Sequence, residues 1–343
     1  MNQTTDTEKQ TLLTVNNLYK YFDISGGFLD QLTWTQGKLQ RVKTIVKALN
    51  NVSFEIQQGE TLSVVGESGC GKSTLGRTII GLLKANSGEV CYYDKRLDLL
   101  SPKQMMPFRR KMQMVFQDPY ASLNPRKRIN TILEEPLRFH NPELSKAEAT
   151  ERIKEVMLQV GGDPLWLSRL PHEFSGGQRQ RISIARALVV DPEFIIADEP
   201  ISALDVSIQA QILNLMLEAQ EQRGLTYLFI AHDLSVVEHI STRVAVMYLG
   251  TLCELTETDE LFNNPRHPYT QALLSAIPRL GRKKLKHIKL KGEVPTPINL
   301  PPGCVFHSRC KHCQDICRAE SPELIEIEKG RYVACHGVEQ GWL

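Results

Sequence analysis

Long hydrophobic runs are missing from this sequence. No uninterrupted stretch reaches the roughly 18 apolar residues that a membrane-spanning helix requires, so the chain is not expected to cross a bilayer without a membrane partner. Residues Met1 to Gln10 are polar and lack the apolar centre of a secretory signal, which predicts a chain that stays in the cytoplasm, where thiols are reduced. An excess of one charge is also lacking. Lys and Arg number 41 against 39 Asp and Glu, a net charge of +2, with 41% apolar and 23% charged residues. That balance speaks against a disordered chain and against one that coats nucleic acid. Internal repeats and sustained heptads are absent, which removes solenoids and long coiled coils. What remains, at 343 residues, is two compact units or one enlarged α/β domain.

Apolar runs and turn residues then order the chain. Leu12 to Phe22, Asn51 to Ile56 and Thr61 to Val65 read as strands, the last stopping at a Gly-rich turn that begins at Gly66. Between the first two, a polar insertion from Ser25 to Thr44 carries Phe28, Leu32 and Trp34 and reads as a surface excursion or docking element. Pro136 and the Asn141-Pro142 pair punctuate a middle section. Helical spacing follows from Ser145 to Val160 at Ala147, Ile153, Val156, Met157 and Val160. Strands at Phe194 to Ala197, Tyr227 to Ala231 and Val244 to Tyr248, with a helix from Val206 to about Arg223, predict a parallel sheet between helices. Near Pro278 the composition turns basic (Arg279, Arg282, Lys283, Lys284, Lys286) and then proline-rich, which marks a boundary.

Gly66-Glu67-Ser68-Gly69-Cys70-Gly71-Lys72-Ser73 fills the phosphate-binding pattern G-x-x-x-x-G-K-S between a strand and a helix. Glycines let successive amides converge on phosphate oxygens, and the N-terminus of the helix from Lys72 adds partial positive charge. Lys72 would neutralise the β- and γ-phosphates, Ser73 would meet Mg²⁺, and Thr74 would cap the helix or touch phosphate. The apolar strand from Phe194 ends in Asp198 and Glu199, suited respectively to Mg²⁺ and to an attacking water. Such a pair alone often only caps a helix; the phosphate loop upstream gives it weight. Ser175-Gly176-Gly177-Gln178 opens a further helix with Ser175 as N-cap and two glycines leaving amides free, a second anion site that would meet a nucleotide from the opposite side.

In order and spacing, these motifs together with Ser202-Ala203-Leu204-Asp205 and His232 resemble the ABC ATPase cassettes, over about Leu13 to Gly250. The resemblance implies a P-loop NTPase fold with a helical subdomain, and two cassettes closing head to tail on ATP. It casts Gln117 as the glutamine that contacts Mg²⁺ or water and signals to the membrane subunit. It also implies Glu199 as general base, Asp205 at the dimer seam and His232 on the γ-phosphate. Phe22, with Tyr21 as fallback, is placed on the adenine face, where a phenylalanine keeps the stacking π-surface.

Asn264 to Leu274, Gly292 to Pro295, Pro301 to Cys304 and Ser122 to Arg126 resemble the ATPases of oligopeptide and dipeptide importers, most nearly the second ATPase of the dipeptide systems. Importers of nickel, glutathione and antimicrobial peptides share much of this pattern. The resemblance implies a cassette over residues 12–262, with a helical subdomain at about 118–190, and an extension over 263–343. As partners it implies a second ATPase subunit, two permeases and a periplasmic peptide-binding protein, without nucleic acid, at the cytoplasmic face of the bacterial inner membrane. A DNA-repair relative would carry heptads between Ser73 and Ser175, and a translation factor a second P-loop; neither is present. A soluble ATP-driven mechanoprotein is the rival reading. The basic run from Arg282 to Lys291 suits anionic lipid or a solvated linker.

Five of the eight cysteines, Cys304, Cys310, Cys313, Cys317 and Cys335, crowd into the tail, with enough thiolates for an iron-sulfur cluster or zinc. Spacing alone favours the four nearest. The importer resemblance instead selects Cys304, Cys310, Cys317 and Cys335, leaving Cys313 spare; a [4Fe-4S] cluster is the first reading, zinc the second and plain reduced thiols the third.

Overall fold

The computed structural model describes residues 10–25, 32–35, 38–41, 43–202, 204–277, 288–290 and 292–343. Within the polar insertion, Leu32–Thr35 and Lys38–Arg41 pair as an antiparallel hairpin. Phe28, Ala203, Lys291 and the basic stretch from Arg279 to Lys286 lie outside the described residues.

Two sheets make the frame. The larger has the strand order Ile325–Glu328, Arg331–Val333, Thr251–Glu257, Arg243–Tyr248, Thr61–Val65, Thr226–Ala231, Phe194–Asp198 and Met112–Val115. Its last five strands run parallel, as the alternation of apolar runs and helices predicted. The remaining strands pair antiparallel, so the C-terminal residues extend the same sheet. Period-two alternation sorts the central strands between two cores. Ile195, Ala197, Tyr227 and Phe229 face one, which includes Ile153, Val156, Ile182, Ile184 and Ile212. Phe194, Ile196, Leu228 and Ile230 face the other, which includes Leu75 and Ile79 of the helix Lys72–Ile79.

That second core is closed by a four-stranded antiparallel sheet, which the sequence reading did not anticipate. Thr11–Asp23 pairs with Ile45–Gln57 on one side and with Ser87–Tyr92 on the other. The helix Lys72–Ile79 is therefore packed on an apolar bed shared by two sheets. Leu12, Leu13, Val15 and Leu18 are fully buried in it.

Helices Ile129–His140, Lys146–Gln159 and Gly176–Leu188 lie on the first core. Ser145 caps the middle one. Its hydroxyl accepts from the Glu148 amide (3.3 Å) while the Glu148 carboxylate accepts from the Ser145 amide (2.8 Å), a reciprocal box that satisfies two orphan donors. Two expectations are corrected. Pro136, read as punctuation, sits inside the helix Ile129–His140; the stop falls at the other mark, Asn141, whose backbone and side-chain nitrogens both donate to the Leu137 carbonyl (3.0 and 2.9 Å). Ala147 is exposed, and Ala149 is the buried member of the stripe, because position 149 lies four residues before Ile153 on the same face.

Candidate functional site: the loops beyond four parallel strands

Thr61–Val65 is buried throughout and delivers the chain to Gly66 at the carboxyl edge of the sheet, where open α/β folds place their ligands. Gly66 has φ +154°, and a Cβ there would stand 2.1 Å from the Met247 carbonyl oxygen. Gly71 has φ +109° and a Cβ would stand 2.3 Å from the Ala48 carbonyl. Both positions therefore exclude any side chain, and the loop can fold flat against its scaffold. Ser68 and Gly69 form the exposed crest, and Cys70 is buried beneath it. Lys72 is buried and folds back, its Nζ donating to the carbonyls of Gly66 (2.8 Å) and Glu67 (3.1 Å). A lysine held by two carbonyls keeps its charge inside the loop's curve. Thr74 lies half-buried one position past Ser73, its carbonyl accepting from the Thr78 hydroxyl.

The strand Phe194–Asp198 ends beside that helix. Ser73 Oγ donates to Asp198 Oδ1 at 2.7 Å. Burial pushes the Asp198 carboxyl above its usual range, against the opposing hydrogen bond from Ser73 and the charge of Arg77, which stands 3.7 Å from Oδ2. Arg77 went unremarked in the sequence, although it lies one turn after Ser73 on the same helix face. Asp198 Oδ2 is buried and has no hydrogen-bond partner.

Glu199 follows with φ +46°, a strained left-handed conformation for a non-glycine residue, fixed by its amide donating to the Ile230 carbonyl (3.0 Å). Gln117 Nε2 donates to Glu199 Oε2 at 3.0 Å from the loop after Met112–Val115. His232 Nδ1 meets the same oxygen at 3.2 Å from the loop after Thr226–Ala231. A carboxylate only accepts, so Nδ1 carries the proton of this contact when Glu199 is ionised. Gln117, expected on Mg²⁺ or water, here rests on Glu199, beside the Ser73 and Asp198 pair. The four neighbouring parallel strands that carry these loops are adjacent in the sheet, which is how residues far apart in the chain converge.

Ser175 caps the helix Gly176–Leu188 as expected, its hydroxyl accepting from the Gln178 amide (3.3 Å) and the Gln178 side chain returning the bond to the Ser175 amide (2.9 Å). Gly177 has a packing task that the sequence did not reveal. A Cβ there would meet Ile208 Cγ2 at 2.6 Å, so the glycine lets this helix press against Val206–Arg223. Asp205 precedes that second helix, exposed and without a side-chain capping bond. Among the described residues no hydrogen bond joins Ser175 to Gln178 with the loop at Gly66 to Thr74. Phe22 is half-buried at the end of its strand, with the Lys20 ammonium 4.8 Å from the ring centroid. Tyr21, the fallback, has its hydroxyl on Asn50 Oδ1 (3.1 Å).

In the tail, Cys304, Cys310, Cys317 and Cys335 line one apolar cavity of about 20 Å³, and Cys313 does not. Burial, reinforced by the neighbouring thiols, pushes Cys304 up to about 12 and Cys310 up to about 11. Among the described residues no group of three or more His, Cys, Asp or Glu is arranged to hold a metal ion.

A P-loop cassette with an antiparallel side sheet, a helical layer and acids beyond the sheet edge defines the ABC ATPase class. Family models agree: residues 49–202 match "ABC transporter" and residues 253–317 match "Oligopeptide/dipeptide transporter, C-terminal region". The oligopeptide transport ATP-binding protein AppF of Bacillus subtilis is 52% identical over 336 residues, covering 97% of this chain and 99% of that protein. The dipeptide transport ATP-binding protein DppF of Escherichia coli is 49% identical over 335 residues, covering 97% and 96%. A dimeric structure of the ATP-binding cassette MJ0796 bound to ADP and Pi superposes with a TM-score of 0.62 at 28% identity, covering 72% of this chain and 99% of that one. CbiO1 of Clostridium perfringens gives 0.59 at 27%, covering 75% and 92%. The chain belongs to the ATP-binding subunits of the oligopeptide/dipeptide ABC transporters.

Proposed function

We propose that this chain hydrolyses ATP to power uptake of di- and oligopeptides across the bacterial inner membrane, from that membrane's cytoplasmic face. The convergence of Gln117 and His232 on one oxygen of Glu199, beyond the strand that delivers Asp198 to Ser73, carries the reading. ATP phosphates lie in the loop from Gly66 to Thr74, with Lys72 released from its carbonyls to the terminal phosphates and adenine against Phe22. Glu199 receives the proton of the attacking water, and His232 and Gln117 hold it in line. Mg²⁺ fits the donors present, since buried Asp198 Oδ2 has an open acceptor site beside the Ser73 hydroxyl. Ser73, Asp198 and Gln117 would hold it, and it would neutralise charge on the transferring phosphoryl oxygens.

The likeness to a dimeric ATP-binding cassette, and the lack of any hydrogen bond between Ser175 to Gln178 and this chain's own phosphate loop among the described residues, support a head-to-tail pair, each nucleotide covered by the partner ATPase subunit's matching helix start and flanked by Asp205. The other partners of this reading are two permeases, fed by a peptide-binding protein, with no nucleic acid. Residues 12–262 form the cassette in this reading, with the helical part at about 118–190, and 263–343 the extension. The test is purification of the tagged chain from membranes, followed by ATPase assay with binding protein added. Permeases in the preparation and stimulation by the peptide-loaded form support the reading. An ATPase that purifies without permeases sinks it in favour of a soluble mechanoprotein, and stimulation by nickel- or glutathione-loaded binding protein reassigns the cargo.

For the tail, the lining of one small apolar cavity by Cys304, Cys310, Cys317 and Cys335 supports these four thiols as the ligands of a [4Fe-4S] cluster, with zinc as the alternative. Its service would be to fasten the extension. Cys304→Ser is expected to abolish bound iron and lower the melting temperature of the extension; iron content unchanged by elemental analysis removes the assignment.

A further inference from the structure

The P-loop is held from behind by residues of the C-terminal extension. Glu67 engages all three of its polar groups. Its carbonyl accepts from Lys72 Nζ, its amide donates to Tyr269 Oη at 3.0 Å, and its carboxylate receives both terminal nitrogens of Arg309 at 2.7 and 3.1 Å. A two-pronged guanidinium–carboxylate pair fixes orientation as well as distance. The Arg309 side chain is 8% exposed and that of Glu67 27%, so solvent screens this pair less than a surface bridge. Arg309 also donates to Tyr248 Oη at 3.4 Å. Tyr248 meets Phe306 edge-on (centroids 5.4 Å apart) and packs at a tilt on Tyr269 (4.7 Å), and Phe306 packs at a tilt on Tyr269 (5.3 Å). Tyr269 is held at the start of Pro268–Ser275, where its amide donates to Nδ1 of the buried His267 (3.0 Å). Arg309 ends the short turn His307–Arg309, between Cys304 and Cys310. The extension therefore reaches the residue whose carbonyl tethers the phosphate-binding lysine.

We propose that Arg309 and Tyr269 are positioning residues for ATP binding: by clamping Glu67 they hold the phosphate loop in its receptive shape, so the extension sets nucleotide affinity. This rests on Gly66 to Thr74 being the phosphate site. Neither residue touches nucleotide, and their loss therefore acts on binding more than on the chemical step. Loosening the loop lowers the fraction of receptive protein and raises the apparent dissociation constant in proportion.

The experiment measures ATP binding to the full chain by calorimetry, and steady-state ATPase of the membrane-purified assembly, for wild type, Arg309→Met, Arg309→Lys, Glu67→Gln, Tyr269→Phe and the Arg309→Met/Glu67→Gln double variant. Arg309→Met is expected to weaken ATP binding and raise KM by about tenfold with kcat within twofold, and Arg309→Lys to recover part of the loss. The double variant should match Arg309→Met alone, since each removes the same pair. Tyr269→Phe should weaken binding by a smaller factor, and it keeps the test open should Arg309→Met fail to fold. Unchanged ATP affinity in Arg309→Met and Tyr269→Phe overturns the proposal, as does a fall in kcat at unchanged KM or full additivity of the Arg309 and Glu67 losses. Wild-type chain that binds no ATP would overturn the phosphate-site reading itself.

Discussion

Glu199→Gln is expected to leave ATP binding within a few-fold of wild type and to cut kcat by about 10²–10⁴-fold, the usual range for removing a positioned general base. The substitution is close in shape and can still hydrogen-bond to Gln117 and His232, so the left-handed backbone at this position should survive. What disappears is the capacity to take a proton from water. ATP should then persist in the closed assembly, visible as nucleotide retained through gel filtration. Single-turnover hydrolysis near the wild-type rate would refute the role of Glu199. A parallel loss of ATP affinity would instead indicate that the carboxylate organises the loop.

Arg331→Met is expected to destabilise the folded chain by about 3–5 kcal/mol, because removing one member of a buried charge pair strands the other. Arg331 has a side chain only 2% exposed, and Glu254, 3.5 Å away, is fully buried. Glu260 and Glu328 stand 3.2 and 3.4 Å from the same guanidinium, which also donates to the Asn264 carbonyl. Glu254 in turn accepts from the amides of Arg266 and His267, both at 2.9 Å, so the network fixes the approach to the helix that carries Tyr269. Thermal melts should show a drop of roughly 4–7 °C. Equal stability of wild type and Arg331→Met would show the network to be idle.

Local signals in the sequence located the elements that carry the candidate site. Thr61 to Val65 before a Gly-x₄-Gly-Lys-Ser turn, Ser175 three residues before Gln178, and an apolar strand running into Asp198 are each written within a few residues, and the structure forms each element there. Long-range pairing was not legible. Leu13 pairs with Tyr92 across an intervening P-loop and helix, and alternation along either strand names no partner. For the same reason, the residues predicted one by one around the phosphate loop gave no hint that Gln117 and His232 share a Glu199 oxygen. Shared position became visible only with the strand order. Gly177 was read for its free amide because a helix start suggests anions, while its contact with Ile208 depends on a helix arriving from elsewhere. Arg309 lies 242 residues from Glu67, and no local pattern distinguishes it from the other basic residues of the tail.

The strand Arg331–Val333 zips onto Thr251–Glu257 and is itself covered by Ile325–Glu328. A chain clipped shortly after the cassette would bare the amide and carbonyl rim of Thr251–Glu257, a template for promiscuous strand addition between molecules. Keeping the final residues therefore safeguards solubility as much as shape, and shortened versions of this subunit invite clumping even where the nucleotide machinery is whole.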